Sequence, residues 1–156
     1  MRLALFQPDI PQNLGATIRL AACLGVSLDV IEPCGFPLSD AAIRRAAMDY
    51  TATVDLKRHS SWDIYHAITA PCHRIVLFTT RGAQPLSAFT FEPDDVLLFG
   101  RESAGVPDEV HNAVNARVII PLVAGARSLN VVTAAAIAVG EALRQTNSFP
   151  KPPGTG

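Results

Sequence analysis

The sequence predicts a single α/β domain whose sheet is mostly parallel and covered by helices on both faces. Apolar runs of strand length alternate with segments of helical periodicity along the whole chain. The apolar runs are nearly continuous, which is typical of parallel strands buried on both faces. A chain of 156 residues is long enough for one domain with a substantial core and too short for two.

The elements follow in order from these patterns. The predicted strands cover residues 2–6, 27–31, 74–79, 96–99 and 117–120, and the predicted helices cover 12–24, 39–47, 61–68, 107–114 and 129–145. Gly25 ends the first helix, Ser39 opens the second and Pro71 follows the third. The domain therefore spans residues 1–147, and residues 148–156, rich in Pro and Gly, are expected to form a disordered tail.

Composition limits the classes of partner. The net charge is −1, so the chain has no overall basic field, and any RNA contact must depend on local groups of arginines. This excludes a strongly basic protein that coats RNA. Hydrophobic residues make up 49% of the chain and charged residues 17%, which is apolar for a monomer and favours burial against a second copy.

The last helix is a candidate for that interface. Residues 131–140 contain almost no polar side chain, and a helix that is apolar all round is expected to be buried all round. Its small residues would let another helix approach closely. The alternative is a central core helix in a monomer.

Cysteine usage and the N-terminus indicate the compartment. Cys23, Cys34 and Cys72 are widely spaced and are expected to be buried, reduced thiols, with neither a disulfide framework nor a structural metal. The apolar run at the N-terminus is too short for a signal peptide, and no run reaches the length of a membrane span. We expect a cytoplasmic protein without a membrane partner.

Several common catalytic motifs are missing from the sequence. Residues 100–105 do not match the G-x-S-x-G nucleophile elbow, so Ser103 is not a candidate nucleophile. Neither G-x-G-x-x-G nor G-x-x-x-x-G-K-[ST] occurs, and the histidines never form H-E-x-x-H. A hydrolase triad is therefore not supported, and the sequence does not indicate a standard dinucleotide-binding site, a P-loop or a zinc-protease site.

Three segments combine Pro or Gly with polar side chains at predicted junctions between loops and helices. They cover residues 11–19, 99–107 and 120–130. Taken singly, their polar residues have ordinary interpretations: Asn13 as a helix cap, Arg19 as a solvated arginine, Glu102 as a loop acid, Ser128 as the cap of the last helix and Asn130 as a first-turn residue.

Taken together and in order, the three segments resemble the motifs of the SPOUT (SpoU–TrmD) class of RNA methyltransferases. The matches are P-x-N-x-G-x-x-x-R at 11–19, F-G-x-E-x-x-G-x-P at 99–107, and I-P followed by R-S-L-N at 120–130. Residues 31–36 and 44–50 extend the similarity over nearly the whole chain, towards the small TrmL/YibK-like branch. The chain departs from that branch at residues 131–133 and at Gly140, where the branch often has Leu-Ser-Asn and tyrosine.

The resemblance implies a fold and an activity that residue patterns alone do not predict. It implies a trefoil knot in the C-terminal part of the domain, a homodimer, and S-adenosyl-L-methionine as methyl donor without a metal. The implied reaction is 2′-O-methylation of the ribose of the wobble nucleotide, cytidine or uridine, in leucine tRNAs. The alternatives are the same transfer to another tRNA or rRNA nucleotide, and a non-catalytic RNA-binding dimer of the same fold.

The resemblance also implies site residues. Arg19 would be the main catalytic residue and would act on the cofactor of the other subunit. Because a guanidinium stays protonated in proteins, we expect it to bind phosphate and stabilise the attacking oxygen rather than act as a base. The remaining catalytic candidates are Asn13, Glu102, Ser128 and Asn130, and the cofactor-binding candidates are Phe78, Gly100, Ile120, Ser128 and Leu129.

Overall fold

The computed structural model describes residues 1–39, 41, 43, 50, 54–81 and 84–151. In these ranges one sheet contains seven strands, in the order β3-β2-β1-β6-β4-β7-β5, and all of its ladders are parallel. The strands are β1 (Arg2–Phe6), β2 (Ser27–Ile31), β3 (Leu56–His59), β4 (Ile75–Phe78), β5 (Gln84–Pro85), β6 (Val96–Phe99) and β7 (Ala116–Ile119). The helices are α1 (Pro11–Leu24), α2 (Trp62–Thr69), α3 (Asp108–Ala113) and α4 (Val131–Gln145), with a 3-10 turn at Leu86–Ala88.

Two apolar cores lie on opposite faces of the sheet, because successive side chains of each strand point in opposite directions. In β1, Leu3 and Leu5 pack towards α1 and α4, whereas Ala4 and Phe6 pack towards α2 and α3. The predicted α/β class with helices on both faces is therefore confirmed. None of the described helices combines the length and apolar character that a membrane span needs.

The predicted strands agree well with the observed ones where the strands are buried. The boundaries of β1, β2 and β6 match, and those of β4 and β7 differ by one residue at each end. β3 and β5 were not predicted from the sequence. Lys57 and Arg58 of β3 are exposed at the edge of the sheet, and β5 has only two residues, so neither forms an apolar run. The helix predicted at 39–47 and the tail predicted at 148–156 lie largely outside the described residues.

The ends of α1 explain its position. Pro11 occupies the first turn, where its missing N–H is tolerated, and Gly25 ends the helix with a left-handed φ of 66°. Ile10 is the N-cap residue and makes no side-chain capping bond. The interpretation of Asn13 as a cap is therefore wrong, and its amide is available for other contacts.

The sequence expectations for α4 need two corrections. Asn130, and not Ser128, caps this helix, because its side chain accepts hydrogen bonds from the N–H groups of Val132 and Thr133. The helix is also not buried all round in the single chain. Ala138 is completely buried, but Ala136 and Ile137 are exposed.

The cysteine expectation is also wrong in part. Cys23 and Cys72 are exposed and Cys34 is half-buried, although all three are free thiols. Cys23 lies on the outer face of α1 and Cys72 in the turn after α2, so neither belongs to the cores.

Candidate active site

A pocket of about 580 Å³ opens at the carboxyl ends of β4, β6 and β7. Because these strands are parallel neighbours, their carboxyl ends and the loops that follow them meet at one edge of the sheet. The volume is in the range of small-molecule sites. The walls come from Ile10 and Asn13, from residues 77–81, 99–106 and 118–120, from Leu122, from residues 127–131 and from Ala134.

Asn13, Glu102 and Asn130 form a hydrogen-bonded chain along one wall of this pocket. The Asn13 Nδ2 donates to Glu102 Oε1 at 3.0 Å, and the Asn130 Nδ2 donates to Asn13 Oδ1 at 3.1 Å. Asn130 Oδ1 accepts from the N–H of Val132 at 2.8 Å. Each of these three residues comes from a different sequence motif, so the network joins all three motifs.

The orientation of both side-chain amides in this hydrogen-bonded network is fixed, by α4 at one end and by Glu102 at the other. The N–H groups at the start of α4 require the Asn130 oxygen, which turns its NH₂ group towards Asn13. At the other end an ionised Glu102 can only accept, so Asn13 must present its NH₂ group to it. The network therefore has one consistent arrangement of donors and acceptors.

Asp9, in the loop between β1 and α1, holds Glu102 from the other side. Its N–H donates to Glu102 Oε2 at 3.0 Å, and its Oδ1 accepts from the N–H of Glu102 at 3.2 Å. The hydroxyl of Ser103 donates to the second carboxylate oxygen of Asp9. Gly35 approaches Asp9 so closely that a Cβ at residue 35 would lie 2.6 Å from the Asp9 Cβ. The loop after β2 therefore supports the position of Asp9.

The two carboxyl groups have opposite pKa shifts. Burial raises the pKa of Glu102 above its ordinary value, and hydrogen bonding with Asp9 acts in the same direction. Hydrogen bonding to Glu102 lowers the pKa of Asp9 to about 2. Asp9 therefore loses its proton at a lower pH than Glu102 does.

Gly100 has a different structural role from the one expected. A Cβ at this position would lie 2.5 Å from the carbonyl carbon of Gly105, so Gly100 allows the close return of its own turn. The turn is closed by hydrogen bonds of 2.8 and 2.9 Å between the backbones of Arg101 and Gly105. Gly100 still lines the pocket, but the space that a Cβ would occupy lies against the backbone of Gly105.

The pocket brings together most of the residues singled out by sequence. All of the cofactor-binding candidates line it, namely Phe78, Gly100, Ile120, Ser128 and Leu129. Four of the five catalytic candidates, Asn13, Glu102, Ser128 and Asn130, also line it. Ser128 is exposed and its hydroxyl makes no hydrogen bond within the described ranges.

Arg19 does not lie in this pocket. It is exposed on the outer face of α1, beside a shallow depression formed with Gly15, Ala16, Leu20 and Cys23. Its guanidinium carbon stacks 5.4 Å from the centre of the Tyr50 ring. Within one chain, Arg19 is therefore separated from the other catalytic candidates.

Two site residues were missed in the sequence. Asp9 precedes the first motif and belongs to no recognised spacing, and Arg101 stands at a variable position inside the second motif. The only available signals were an acidic residue shortly before the first motif and a positively charged residue at the open position of the second. Over the described residues, no group of three or more His, Cys, Asp or Glu side chains is arranged to hold a metal ion.

Comparison with known proteins gives consistent results for sequence and structure. The model of the SpoU rRNA methylase family matches residues 1–140. A tRNA (cytidine(34)-2′-O)-methyltransferase of Beijerinckia indica is 55% identical over 150 residues, which are 96% of this chain and 94% of that protein.

Two solved structures extend the comparison. One, from work on the 2-OH methylation of C/U34 on tRNA, has a TM-score of 0.86 and 41% identity, covering 92% of this chain and 94% of that one. The other is the SpoU methyltransferase AviRb of Streptomyces viridochromogenes in complex with AdoMet. It has a TM-score of 0.79 and 26% identity, over 93% of this chain and 60% of that one.

Proposed function

Because the chain belongs to the SpoU rRNA methylase family, we propose that this methyltransferase modifies the 2′-hydroxyl of the ribose at nucleotide 34 of tRNA, with S-adenosyl-L-methionine as donor. The proposal is supported above all by the hydrogen-bonded network of Glu102, Asn13 and Asn130, which joins all three sequence motifs at the pocket. The Beijerinckia relative and the structure from the C/U34 work support the choice of nucleotide.

The pocket fits the proposed cofactor. Leu77, Phe78 and Ile120 offer apolar surface suited to an adenine ring, and the adjoining loops offer backbone N–H and C=O groups for its polar edge. When bound, the cofactor would supply a methyl group activated by a cationic sulfur. The residues that would hold it are Phe78, Gly100, Ile120, Ser128 and Leu129.

The contribution of the protein is then position and charge. An in-line displacement needs the attacking oxygen fixed on the axis of the breaking bond, and it is helped by groups that stabilise developing negative charge. The hydrogen-bonded network of Asn13, Glu102 and Asn130 lies on the pocket wall, where it can orient a ribose. Arg19 would supply the positive charge that binds phosphate and stabilises the oxygen nucleophile.

Because Arg19 lies outside the pocket of its own chain, we propose that it completes the pocket of a second copy. This requires a homodimer that brings together the outer faces of α1 and α4. The two helices pack against each other on the same face of the sheet. Ala16 and Cys23 of α1, and Ala136 and Ile137 of α4, are exposed in the single chain and could be buried in such a dimer.

The finer features implied by the resemblance are part of the same proposal. They are a trefoil knot in the C-terminal part of the domain, leucine tRNAs as substrates with either cytidine or uridine at the wobble position, and a cytoplasmic location. Methylation of another tRNA or rRNA nucleotide is the competing activity.

Transfer of a labelled methyl group tests the proposal. The purified protein is incubated with methyl-labelled S-adenosyl-L-methionine and with separate pools of tRNA and rRNA that lack the modification. Digestion to nucleosides should give labelled 2′-O-methylcytidine or 2′-O-methyluridine from the tRNA pool only. Label on a base, or label in rRNA alone, would contradict the proposal.

A further inference from the structure

Arg101 lines the pocket but has no assigned role. Its backbone is fixed by the bridge to Gly105 in the turn after β6. Its Nη2 donates to the Oε1 of Gln7, the residue that follows β1. The backbone of Arg101 is therefore held in the turn after β6, and its guanidinium bonds to the residue that follows the neighbouring strand β1. Arg101 lines the pocket beside Glu102.

The charge of Arg101 is not compensated by a carboxylate. Over the described ranges, Arg2, Arg58, Arg74, Arg81 and Arg144 each form an ion pair with an acid. Arg101 forms none with any described residue, and its only side-chain acceptor is the neutral amide of Gln7. Its Nε is buried without a hydrogen-bond partner. The Nε is enclosed, but Nη1 is not buried and makes no hydrogen bond with any described residue, so the guanidinium has a donor left for an anion.

A phosphate group is the anion that the site favours. Arg127 also lines the pocket and has no ion-pair partner among the described residues, so two of the arginines at the pocket are not engaged by a carboxylate. The cofactor offers a single carboxylate, beside a sulfonium and an ammonium, whereas an RNA backbone offers a phosphate at every nucleotide. Phosphates attract arginine strongly, and the planar guanidinium can bind two phosphate oxygens together.

We propose that Arg101 binds the phosphate next to the target ribose of the RNA, with Gln7 fixing the orientation of the guanidinium. The inference depends on the proposed function, since it requires an RNA substrate at this pocket. Arg101 adjoins Glu102 at the Asn13 end of the network, so a phosphate bound there would lie on the side where the ribose is oriented. It adds a binding residue that neither the sequence motifs nor the site network had assigned.

Substitution with salt titration tests the proposal. Arg101→Ala and Arg101→Gln remove the positive charge, and Arg101→Lys keeps it. Arg144→Ala is the control, because it changes the net charge by the same amount at an exposed residue that pairs with Glu141 and does not line the pocket. Affinity for unmodified tRNA is measured by fluorescence anisotropy at several salt concentrations, and affinity for S-adenosyl-L-methionine by calorimetry. Using both neutral variants keeps the test usable if one of them folds poorly.

The neutral Arg101 variants should bind tRNA about tenfold more weakly, and the slope of log affinity against log salt should fall by about 1. Arg101→Lys and Arg144→Ala should keep the slope, and cofactor affinity should not change in any variant. Unchanged tRNA affinity and slope in the neutral variants would overturn the proposal. So would a loss confined to cofactor affinity, which would place the cofactor carboxylate at Arg101. A wild-type protein that binds no tRNA would instead refute the proposed function.

Discussion

Asp9 and Glu102 hydrogen-bond to each other in both directions. The N–H of Asp9 donates to the Glu102 carboxylate at 3.0 Å, and the N–H of Glu102 donates to the Asp9 carboxylate at 3.2 Å. The pair joins the loop after β1 to the turn after β6, and these two strands are neighbours in the sheet. With one Glu102 oxygen held by Asp9, the other is left to accept from Asn13.

Asp9→Ala should lower turnover by about ten- to a hundredfold while cofactor affinity changes little, because groups that orient site residues have effects of this size. The substitution removes the acceptors of the Glu102 N–H and the Ser103 hydroxyl. Asp9→Asn keeps one acceptor and should recover part of the activity. Steady-state methylation and calorimetry check both points. Wild-type turnover in Asp9→Ala would show that the pair does not position Glu102.

Arg19→Ala should lower turnover by roughly a hundred- to a thousandfold with cofactor affinity nearly unchanged, which is the effect of losing one fixed charge from a transition state. Arg19→Lys should restore little, because an ammonium cannot replace a planar fork of donors. Single-turnover rates measure both effects. A large loss of cofactor affinity in Arg19→Ala would contradict this role.

Mixed dimers test whether Arg19 acts across the proposed dimer interface. Arg19→Ala chains are mixed with chains disabled at the cofactor pocket, for example by Gly100→Val, where any Cβ would overlap the backbone of Gly105. One of the two sites in a mixed dimer should then be intact, so activity should reappear. If subunits exchange and no activity returns, each site is built within one chain.

Ile137→Glu should give a folded monomer, because Ile137 is 41% exposed on the outer face of α4, where a partner would cover it. Ala138→Glu is the contrasting variant. Ala138 is completely buried, so a charge there should unfold the chain rather than split a dimer. Sedimentation and thermal melting distinguish the two results. Ile137→Glu sedimenting with the mass of the wild-type dimer would exclude this face as the interface.

The strands that local sequence pattern specifies are the buried ones. β1, β2 and β6 are nearly continuous apolar runs with both faces buried, so their boundaries could be predicted. β3 has exposed Lys57 and Arg58 at the sheet edge and gives no such signal. The exposure of Ile137 could not be predicted either, because an apolar helix does not reveal which of its faces packs within its own chain.

In the candidate site, too, some residues could be selected from sequence patterns and others could not. Asn13, Glu102 and Asn130 could be selected from motif order, but their contacts join residues 89 and 117 positions apart in sequence and depend on the folded chain. Asp9 and Arg101 act through such contacts alone, which is why the motifs did not identify them.

Cys34 should react slowly with iodoacetamide at pH 8, because burial raises the pKa of its thiol to about 11. The exposed thiols of Cys23 and Cys72 should be modified much sooner. The rate at Cys34 should rise about tenfold per pH unit as the pH approaches 11, since only the thiolate reacts. Peptide mass spectrometry after timed alkylation measures each site. Equal rates at pH 8 would show that Cys34 is not shielded.

The claim that the 2′-oxygen of nucleotide 34 is the methyl acceptor can be tested by removing that one atom. Two leucine tRNAs are prepared that differ only in having ribocytidine or 2′-deoxycytidine at nucleotide 34. The account predicts methyl transfer to the first, no transfer to the second, and competition by the second for binding. Equal methylation of the two tRNAs would contradict the account, because the methyl group would then be placed on another atom.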